Sequence, residues 1–192
     1  MGKTVTVALD IGNVCIALHP DQALRALGLA SEEEVPREIV DSFCDLECGR
    51  MEEREWIALV RRVLGNRFSE TEIVNGWNRI LGEPMPGVPE RIRKYAAMGV
   101  RFVYLSDISR LHLDQISRTF PCAHLISDGV FSFDAGARKP DSAMYALFES
   151  RHGVPDLYFD DKPCNTAAAR ERGWNAITFT HADQLDRIGE FV

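Results

Sequence analysis

The sequence lacks the features that mark membrane, secreted and nucleic-acid-binding proteins. It has no apolar run of the roughly 18 residues that a spanning helix needs, and its N-terminus, MGKTVTVALD, shows no cleavable signal pattern. The net charge is −7 and the pI about 5.3, whereas nucleic-acid phosphates call for basic faces. We therefore expect a cytoplasmic protein that binds neither nucleic acid nor membrane.

The spacing of the cysteines is not typical of a metal site. There are 5 cysteines among 192 residues, with no CxxC pair. Cys44 and Cys48 would lie on one face of a helix. In a chain without a signal pattern, these features favour reduced structural thiols over a zinc site.

Strand and helix patterns alternate in the second half of the chain. Apolar strand patterns cover 4–9, 100–105, 123–126, 157–159 and 176–179, and helical spacing covers 89–98, 109–119, 140–152, 165–172 and 181–191. Residues 19–82 show helical spacing with no strand pattern. Alternation of this kind implies a parallel sheet covered on both faces. The sequence therefore predicts an α/β fold: a doubly wound, Rossmann-like parallel sheet in residues 1–17 and 84–192, with an inserted helical cap in residues 18–83.

Several polar residues stand at or just beyond the ends of the predicted strands: Asp10, Ser106, Asp107, Lys139, Asp160 and Asp161. Each one alone fits a turn, a helix cap or the solvated surface. In an open parallel sheet, however, ligands bind beyond the carboxyl ends of the strands, which places all six in one region. Crowded carboxylates repel unless a cation is present. Hard oxygen ligands of this kind suit Mg²⁺.

In these residues the chain resembles the haloacid dehalogenase superfamily over nearly its whole length. The four matching motif positions are Asp10, Ser106, Lys139 before a proline, and the pair Asp160-Asp161 followed by Asn165. Within the superfamily it is most similar to the branch of bacterial α-D-glucose-1-phosphate phosphatases and the phosphatase half of soluble epoxide hydrolases. The parallels to that branch are the DIGNV motif at 10–14, ECGR at 47–50, GW at 76–77 and RLH at 110–112.

The resemblance implies a hydrolase that cleaves phosphate monoesters through an aspartyl-phosphate, with Mg²⁺ as cofactor. Asp10 would be the nucleophile, assisted by Ser106 and Lys139. The implied metal ligands are Asp10, the carbonyl of Gly12, and Asp160. The implied supporting residues are Asp107, Asp161 and Asn165, and the candidate substrate-binding residues are Asn13, Glu47, Gly49, Arg50 and Arg138.

Two positions depart from the superfamily pattern. Gly12 stands where most of these phosphatases carry the aspartate that transfers protons, so we expect slow turnover, slowest for poor leaving groups. Asp107 stands where relatives usually have Asn. We interpret it as a cap of the next helix; the alternatives are a protonated carboxyl or a weakened phosphate site. His19 is a candidate for the missing acid, but a solvent-facing histidine is the simpler interpretation.

Two other functions stay open beside the phosphatase. A haloacid dehalogenase uses the same aspartate without metal, and Asp160-Asp161 would then be unneeded negative charge. A weakly active or non-catalytic binding or regulatory protein would not need Asp10, Lys139 and Asp160 together. The expected partner is a small phosphorylated metabolite, for which a sugar phosphate is the suggested example, and the chain is expected to be a monomer or a homodimer.

Overall fold

A parallel sheet forms the centre of the protein, whose computed structural model describes residues 4–192. The described residues contain seven strands: β1 Thr6–Leu9, β2 Ile16–Leu18, β3 Leu81–Pro84, β4 Arg101–Ser106, β5 Ile126–Phe131, β6 Leu157–Asp160 and β7 Ala176–Thr178. Five of them form one sheet in the order β5-β4-β1-β6-β7, and all neighbours in it are parallel. The first strand therefore lies at the centre, where the strand order reverses.

Nine α-helices lie in the same range: α1 Pro20–Ala26, α2 Arg37–Glu47, α3 Glu53–Val63, α4 Glu70–Trp77, α5 Val88–Ala97, α6 Arg110–Thr119, α7 Ser132–Ala135, α8 Ser142–His152 and α9 Pro163–Glu171. Shorter 3₁₀ segments cover Glu32–Glu34, Asn78–Ile80, Ala123–Leu125 and Ala182–Glu190. None of the helices in residues 4–192 has the length and apolar character needed to cross a membrane.

Helices cover both faces of the sheet, as the burial of β1 requires. Val7 and Leu9 belong to the apolar cluster on one face, with Ile92 of α5 and Ile116 of α6. Ala8 faces the other cluster, which includes Met144, Tyr145 and Phe148 of α8 and Ala169 of α9. Successive side chains of a strand point to opposite faces, so a strand between two helical layers must be apolar throughout. The predicted α/β class and doubly wound parallel sheet are confirmed.

The helices between β2 and β3 build an apolar core of their own. Amphipathic α2, α3 and α4 bring Ile39, Leu46, Trp56, Val60 and Ile73 together. Helix α4 begins with a capping box, in which Ser69 and Glu72 satisfy each other's backbone N–H groups. We refer to residues 19–80 as the helical insertion. The division into a core of 1–17 and 84–192 and a cap of 18–83 stays a prediction, and its residues 1–3 lie outside the described part of the chain.

Two local predictions were wrong. Residues 81–84 form β3, which pairs antiparallel with β2, although no strand pattern is visible in LGEP; the pairing is a tertiary contact. The strand predicted at 123–126 is a 3₁₀ turn followed by β5. That strand carries Asp128 and Gly129, which it tolerates because it lies at the sheet edge. The last predicted helix, at 181–191, is present as the 3₁₀ helix Ala182–Glu190.

All five cysteines are free, and Cys44 and Cys164 are exposed. Cys44 and Cys48 lie one turn apart near the end of α2, with their sulfur atoms 3.9 Å from each other.

Candidate active site

Asp10 lies directly after β1, at the carboxyl edge of the central strand of the sheet. Its side chain is buried, and three donors converge on its Oδ1 atom. Ser106 Oγ donates to it at 2.7 Å, the N–H of Ile11 donates at 2.7 Å, and Lys139 Nζ lies 3.0 Å away. The parallel pairing of β1 with β4 places Asp10 beside Ser106, because both residues follow the paired residues Leu9 and Tyr104.

Lys139 is the centre of the cluster. Its Nζ donates to Asp160 Oδ2 at 2.6 Å and to the Leu105 carbonyl at 2.8 Å, in addition to its contact with Asp10. Only 1% of its side chain is exposed. One ammonium therefore bridges two carboxylates that β1 and β6 bring to the same edge.

The electrostatics of the cluster follow from this arrangement. Burial raises the pKa of Asp10 to about 6; Lys139 opposes the rise and Asp160 adds to it. Burial alone would lower the pKa of Lys139, but Asp10 and Asp160 raise it above its usual value, so the ammonium stays charged. Burial alone would raise the pKa of Asp160, yet its bonds to Lys139 hold it below the usual value.

Four donor groups contact Asp160. Besides Lys139, it accepts bonds from the Tyr158 hydroxyl, from Asn165 Nδ2 and from the Lys162 N–H. Asn165, the supporting residue that the superfamily resemblance implies, contacts Asp160 through its Nδ2. Tyr158 was missed. The signal that could have found it is its place two residues before Asp160 on one strand, since residues i and i+2 share a face.

Three carboxylates could hold a metal ion at this edge. Oxygen atoms of Asp10, Asp160 and Asp161 all lie within 4.8 Å of one another, and Lys139 supplies one compensating positive charge among them. The remaining negative charge and the oxygen donors fit Mg²⁺. The superfamily resemblance implies a supporting role for Asp161, but this geometry places it among the candidate metal ligands.

Asn13 ties the turn after β1 to the acidic cluster. Its backbone has a left-handed φ of 54°, which Asn tolerates better than most residues. Its Nδ2 donates to Asp161 Oδ2 at 3.0 Å, and its Oδ1 accepts from the Leu18 N–H. Asn13 is a candidate substrate-binding residue in the sequence, whereas in the structure its side chain bonds to Asp161.

The expectation that Asp107 caps the next helix was wrong. Ser109 caps α6 and accepts a bond from the His112 N–H. Asp107 Oδ1 instead accepts from the backbone N–H of Lys139 at 2.9 Å. Asp107 lies one residue past the end of β4, too early in the chain to be the N-cap. It positions the loop that delivers Lys139.

Four of the candidate substrate-binding residues join the helical insertion to the loop after β5. Glu47 pairs with Arg138, with 3.1 Å between Oε2 and Nε, and Arg50 donates to the Gly136 carbonyl at 3.2 Å. Gly49 has a left-handed φ of 67°, and a Cβ there would lie 2.8 Å from the carbonyl oxygen of Phe133. Only glycine fits this close approach. Ser132, which sequence analysis missed, is fully buried here and donates to the Glu47 carbonyl.

His19 is occupied elsewhere. Its Nε2 lies 3.0 Å from Glu83 Oε2, and 32% of its side chain is exposed. This placement favours the simpler interpretation, a histidine that faces solvent.

A small cavity of about 100 Å³ borders the cluster. Gly12, Glu47, Ser106, Asp107 and His112 line it, together with seven apolar side chains: Ile11, Leu18, Trp77, Ile80, Leu81, Ile108 and Ile116. A Cβ added to Gly12 would lie 2.8 Å from Leu18 Cδ1.

The fold and site define an α/β protein with a buried aspartate–lysine–aspartate cluster at the carboxyl ends of parallel strands. No family model and no curated protein matches the sequence, but solved structures match the fold. A HAD family enzyme from Bacteroides thetaiotaomicron is 18% identical, with a TM-score of 0.81, over 98% of this chain and 99% of that chain. A predicted HAD-like family hydrolase from Porphyromonas gingivalis is 22% identical, with a TM-score of 0.79, over 98% and 97%.

The wild-type Bacteroides enzyme has also been solved in complex with magnesium and inorganic phosphate. That structure is 19% identical to this chain, with a TM-score of 0.77, over 93% of this chain and 95% of that chain. Together these matches show that the chain has the HAD fold.

Proposed function

We propose that this chain is a Mg²⁺-dependent phosphatase of the haloacid dehalogenase superfamily, which hydrolyses a small phosphorylated metabolite through an aspartyl-phosphate on Asp10. One observation carries the proposal: Lys139 Nζ lies between Asp10 Oδ1 at 3.0 Å and Asp160 Oδ2 at 2.6 Å. A structural ion pair needs one carboxylate for one ammonium. The surplus of buried negative charge would be offset by a bound cation, which would also offset the charge of a phosphate substrate.

The chain's own residues provide the nucleophile and its setting. Since Ser106, Lys139 and the Ile11 N–H all hold Oδ1 of Asp10, we assign the attack on phosphorus to Oδ2. Lys139 balances the negative charge on Asp10 and on the phosphoryl group. The Ser106 hydroxyl donates a hydrogen bond to Asp10 and so keeps the carboxylate oriented. Asp107 holds the Lys139 backbone in place, and Asn165 and Tyr158 fix Asp160.

The metal would be held by Asp10, Asp160 and Asp161, with the Gly12 carbonyl as the further ligand that the superfamily resemblance implies. When bound, Mg²⁺ supplies the positive charge that offsets repulsion between the aspartate and the phosphate.

Proton transfer is the weak step. Gly12 has no side chain to protonate the leaving oxygen or to activate the water that cleaves the aspartyl-phosphate. General acid–base assistance is worth roughly 10²–10⁴ in rate. Turnover is therefore slow, and it depends on the leaving group.

Three further assignments belong to the same proposal. The chain falls in the branch with the Asp-x-Gly-Asn-Val first motif, supported by DIGNV at 10–14 and ECGR at 47–50. The helical insertion acts as a cap, supported by the contacts of Glu47 and Arg50 with the loop after β5. The protein acts in the cytoplasm, as a monomer or a homodimer.

The test is hydrolysis of p-nitrophenyl phosphate with and without Mg²⁺, by the wild type, by Asp10→Asn and by the control Asp114→Asn. Asp114 is exposed on α6. Activity that needs Mg²⁺ and is lost only in Asp10→Asn supports the phosphatase. Equal rates in all three proteins would indicate a non-catalytic protein with a contaminating activity. Chloride release from 2-chloropropionate without metal would instead indicate a dehalogenase.

A further inference from the structure

The small cavity beside Asp10 is poor in free polar groups. Its polar side chains already have protein partners: Ser106 bonds to Asp10, Asp107 accepts from Lys139, Glu47 pairs with Arg138, and His112 Nε2 lies 3.3 Å from the Trp77 carbonyl. The rest of its wall is mainly aliphatic. A sugar bound here would lose water from its hydroxyl groups without gaining equivalent partners, which is unfavourable.

A second, larger cavity lies within the helical insertion. Its volume is about 380 Å³, within the usual range of ligand sites. Apolar side chains form most of its lining, among them Ala23, Leu27, Ile39, Val60 and Leu64.

The two cavities are neighbours, because Trp77 and Ile80 line both of them. Trp77 stacks on Phe43, which lines the larger cavity, and on His112, which lines the smaller one. The centroid distances are 5.0 Å and 4.9 Å. The larger cavity therefore adjoins the small cavity across the side chains of Trp77 and Ile80.

We propose that the substrate is a phosphate monoester of an apolar alcohol, whose hydrocarbon part occupies the small cavity and, when long enough, extends past Ile80 into the larger one. This rests on the proposed phosphatase function and replaces a sugar phosphate as its substrate. The mostly apolar lining of both cavities and the residues they share, Trp77 and Ile80, support this occupant. Each buried methylene contributes about fourfold in affinity.

The test compares phosphates whose leaving groups are all primary alcohols, so that each leaving oxygen needs protonation to the same extent. We expect kcat/KM to rise from ethyl through butyl and hexyl to decyl phosphate, used below the concentration at which they aggregate. Hexyl phosphate should exceed glucose 6-phosphate at least tenfold. A flat series, or a preference for glucose 6-phosphate, would overturn the proposal.

A pair of variants locates the hydrocarbon. Ala23 is 3% exposed and lines the larger cavity, so Ala23→Phe should lower the ratio of kcat/KM for decyl phosphate over ethyl phosphate at least fivefold. Ala26 lies one turn along the same helix and is exposed, so Ala26→Phe should keep the wild-type ratio. An unchanged ratio in folded Ala23→Phe would overturn the use of the larger cavity. If Ala23→Phe does not fold, the kcat/KM values of the wild type from ethyl to decyl phosphate test the proposal instead.

Binding without turnover separates this inference from the proposed function. Calorimetry with Mg²⁺ should show decylphosphonate binding at least tenfold more tightly than ethylphosphonate, with a negative heat-capacity change. If the wild type hydrolyses no phosphate ester, including p-nitrophenyl phosphate, the phosphatase is overturned, and a preference for decylphosphonate still supports the apolar site. Equal affinities for the two phosphonates would overturn the apolar site even in an active phosphatase.

Discussion

Leu18 occupies the place where a side chain on Gly12 would begin: a Cβ built on Gly12 would lie 2.8 Å from Leu18 Cδ1. Where the superfamily resemblance implies a second aspartate, this protein has a leucine methyl group. The same residue, Leu18, therefore fills the space of the missing side chain and forms part of the apolar cavity wall. A side chain at position 12 requires the Leu18 side chain to move.

Gly12→Asp alone should therefore restore little activity, because the new side chain meets Leu18. The double variant Gly12→Asp/Leu18→Ala should raise kcat for butyl phosphate at least tenfold, in line with the value of acid–base assistance. Leu18→Ala alone is the matched control and should not raise kcat. A full gain from the single variant Gly12→Asp would show that Leu18 is no obstacle, and no gain from the double variant would show that proton transfer does not limit the rate.

Lys139→Met should abolish turnover and destabilise the fold, because it leaves buried Asp10 and Asp160 without their ammonium. Breaking a buried ion pair costs about 3–5 kcal/mol. Urea denaturation without Mg²⁺ measures this loss. Lys139→Met/Asp160→Asn removes both charges of the closer pair and should recover most of the stability while staying inactive. A double variant as unstable as Lys139→Met would contradict the assigned pairing, and the exposed Lys162→Met is the control.

Asp107→Asn should be tolerated, because an amide oxygen can still accept from the Lys139 N–H. Asp107→Ala loses the bond and should lower kcat/KM about tenfold with KM little changed, since it displaces Lys139 rather than a substrate contact. Steady-state kinetics of both variants measure this difference. If Asp107→Asn were as impaired as Asp107→Ala, the charge of Asp107 would matter more than its bond.

His112 should make stability depend on pH. Its ring is 6% exposed, and burial lowers its pKa from 6.5 to about 4. The unfolded chain therefore binds a proton that the folded chain excludes between about pH 4 and 6.5. The stability is fully present above this window and falls as the pH falls through it, by on the order of 3 kcal/mol.

The measurement is urea denaturation at pH 7 and pH 5. His112→Phe keeps an aromatic ring on Trp77 and removes the titration, so its stability should change less between the two pH values than that of the wild type. Exposed His124→Gln should behave like the wild type. A His112→Phe protein with the wild-type dependence would assign the effect to other groups.

The sequence predicted those parts of the site that depend on strand ends. Asp10, Ser106 and Asp160 end apolar strand patterns, and parallel pairing then brings them to one edge. Tertiary contacts decided the rest. Asp107 bonds to a loop that lies 32 residues away in the sequence, β3 exists because it pairs with β2, and the contact between Leu18 and Gly12 follows from that ribbon. No local pattern encodes such contacts, so propensity and spacing could not predict them.

We expect Asp10 to become phosphorylated and the resulting aspartyl-phosphate to be hydrolysed slowly. With p-nitrophenyl phosphate the leaving group needs little protonation, whereas hydrolysis of the aspartyl-phosphate lacks a base at Gly12. Rapid mixing with Mg²⁺ should therefore show a burst of about one p-nitrophenol per protein, followed by slow turnover, with phosphate bound to the peptide that contains Asp10. Linear release from the first turnover with no phosphorylated Asp10, or the same burst in Asp10→Asn, would contradict the account.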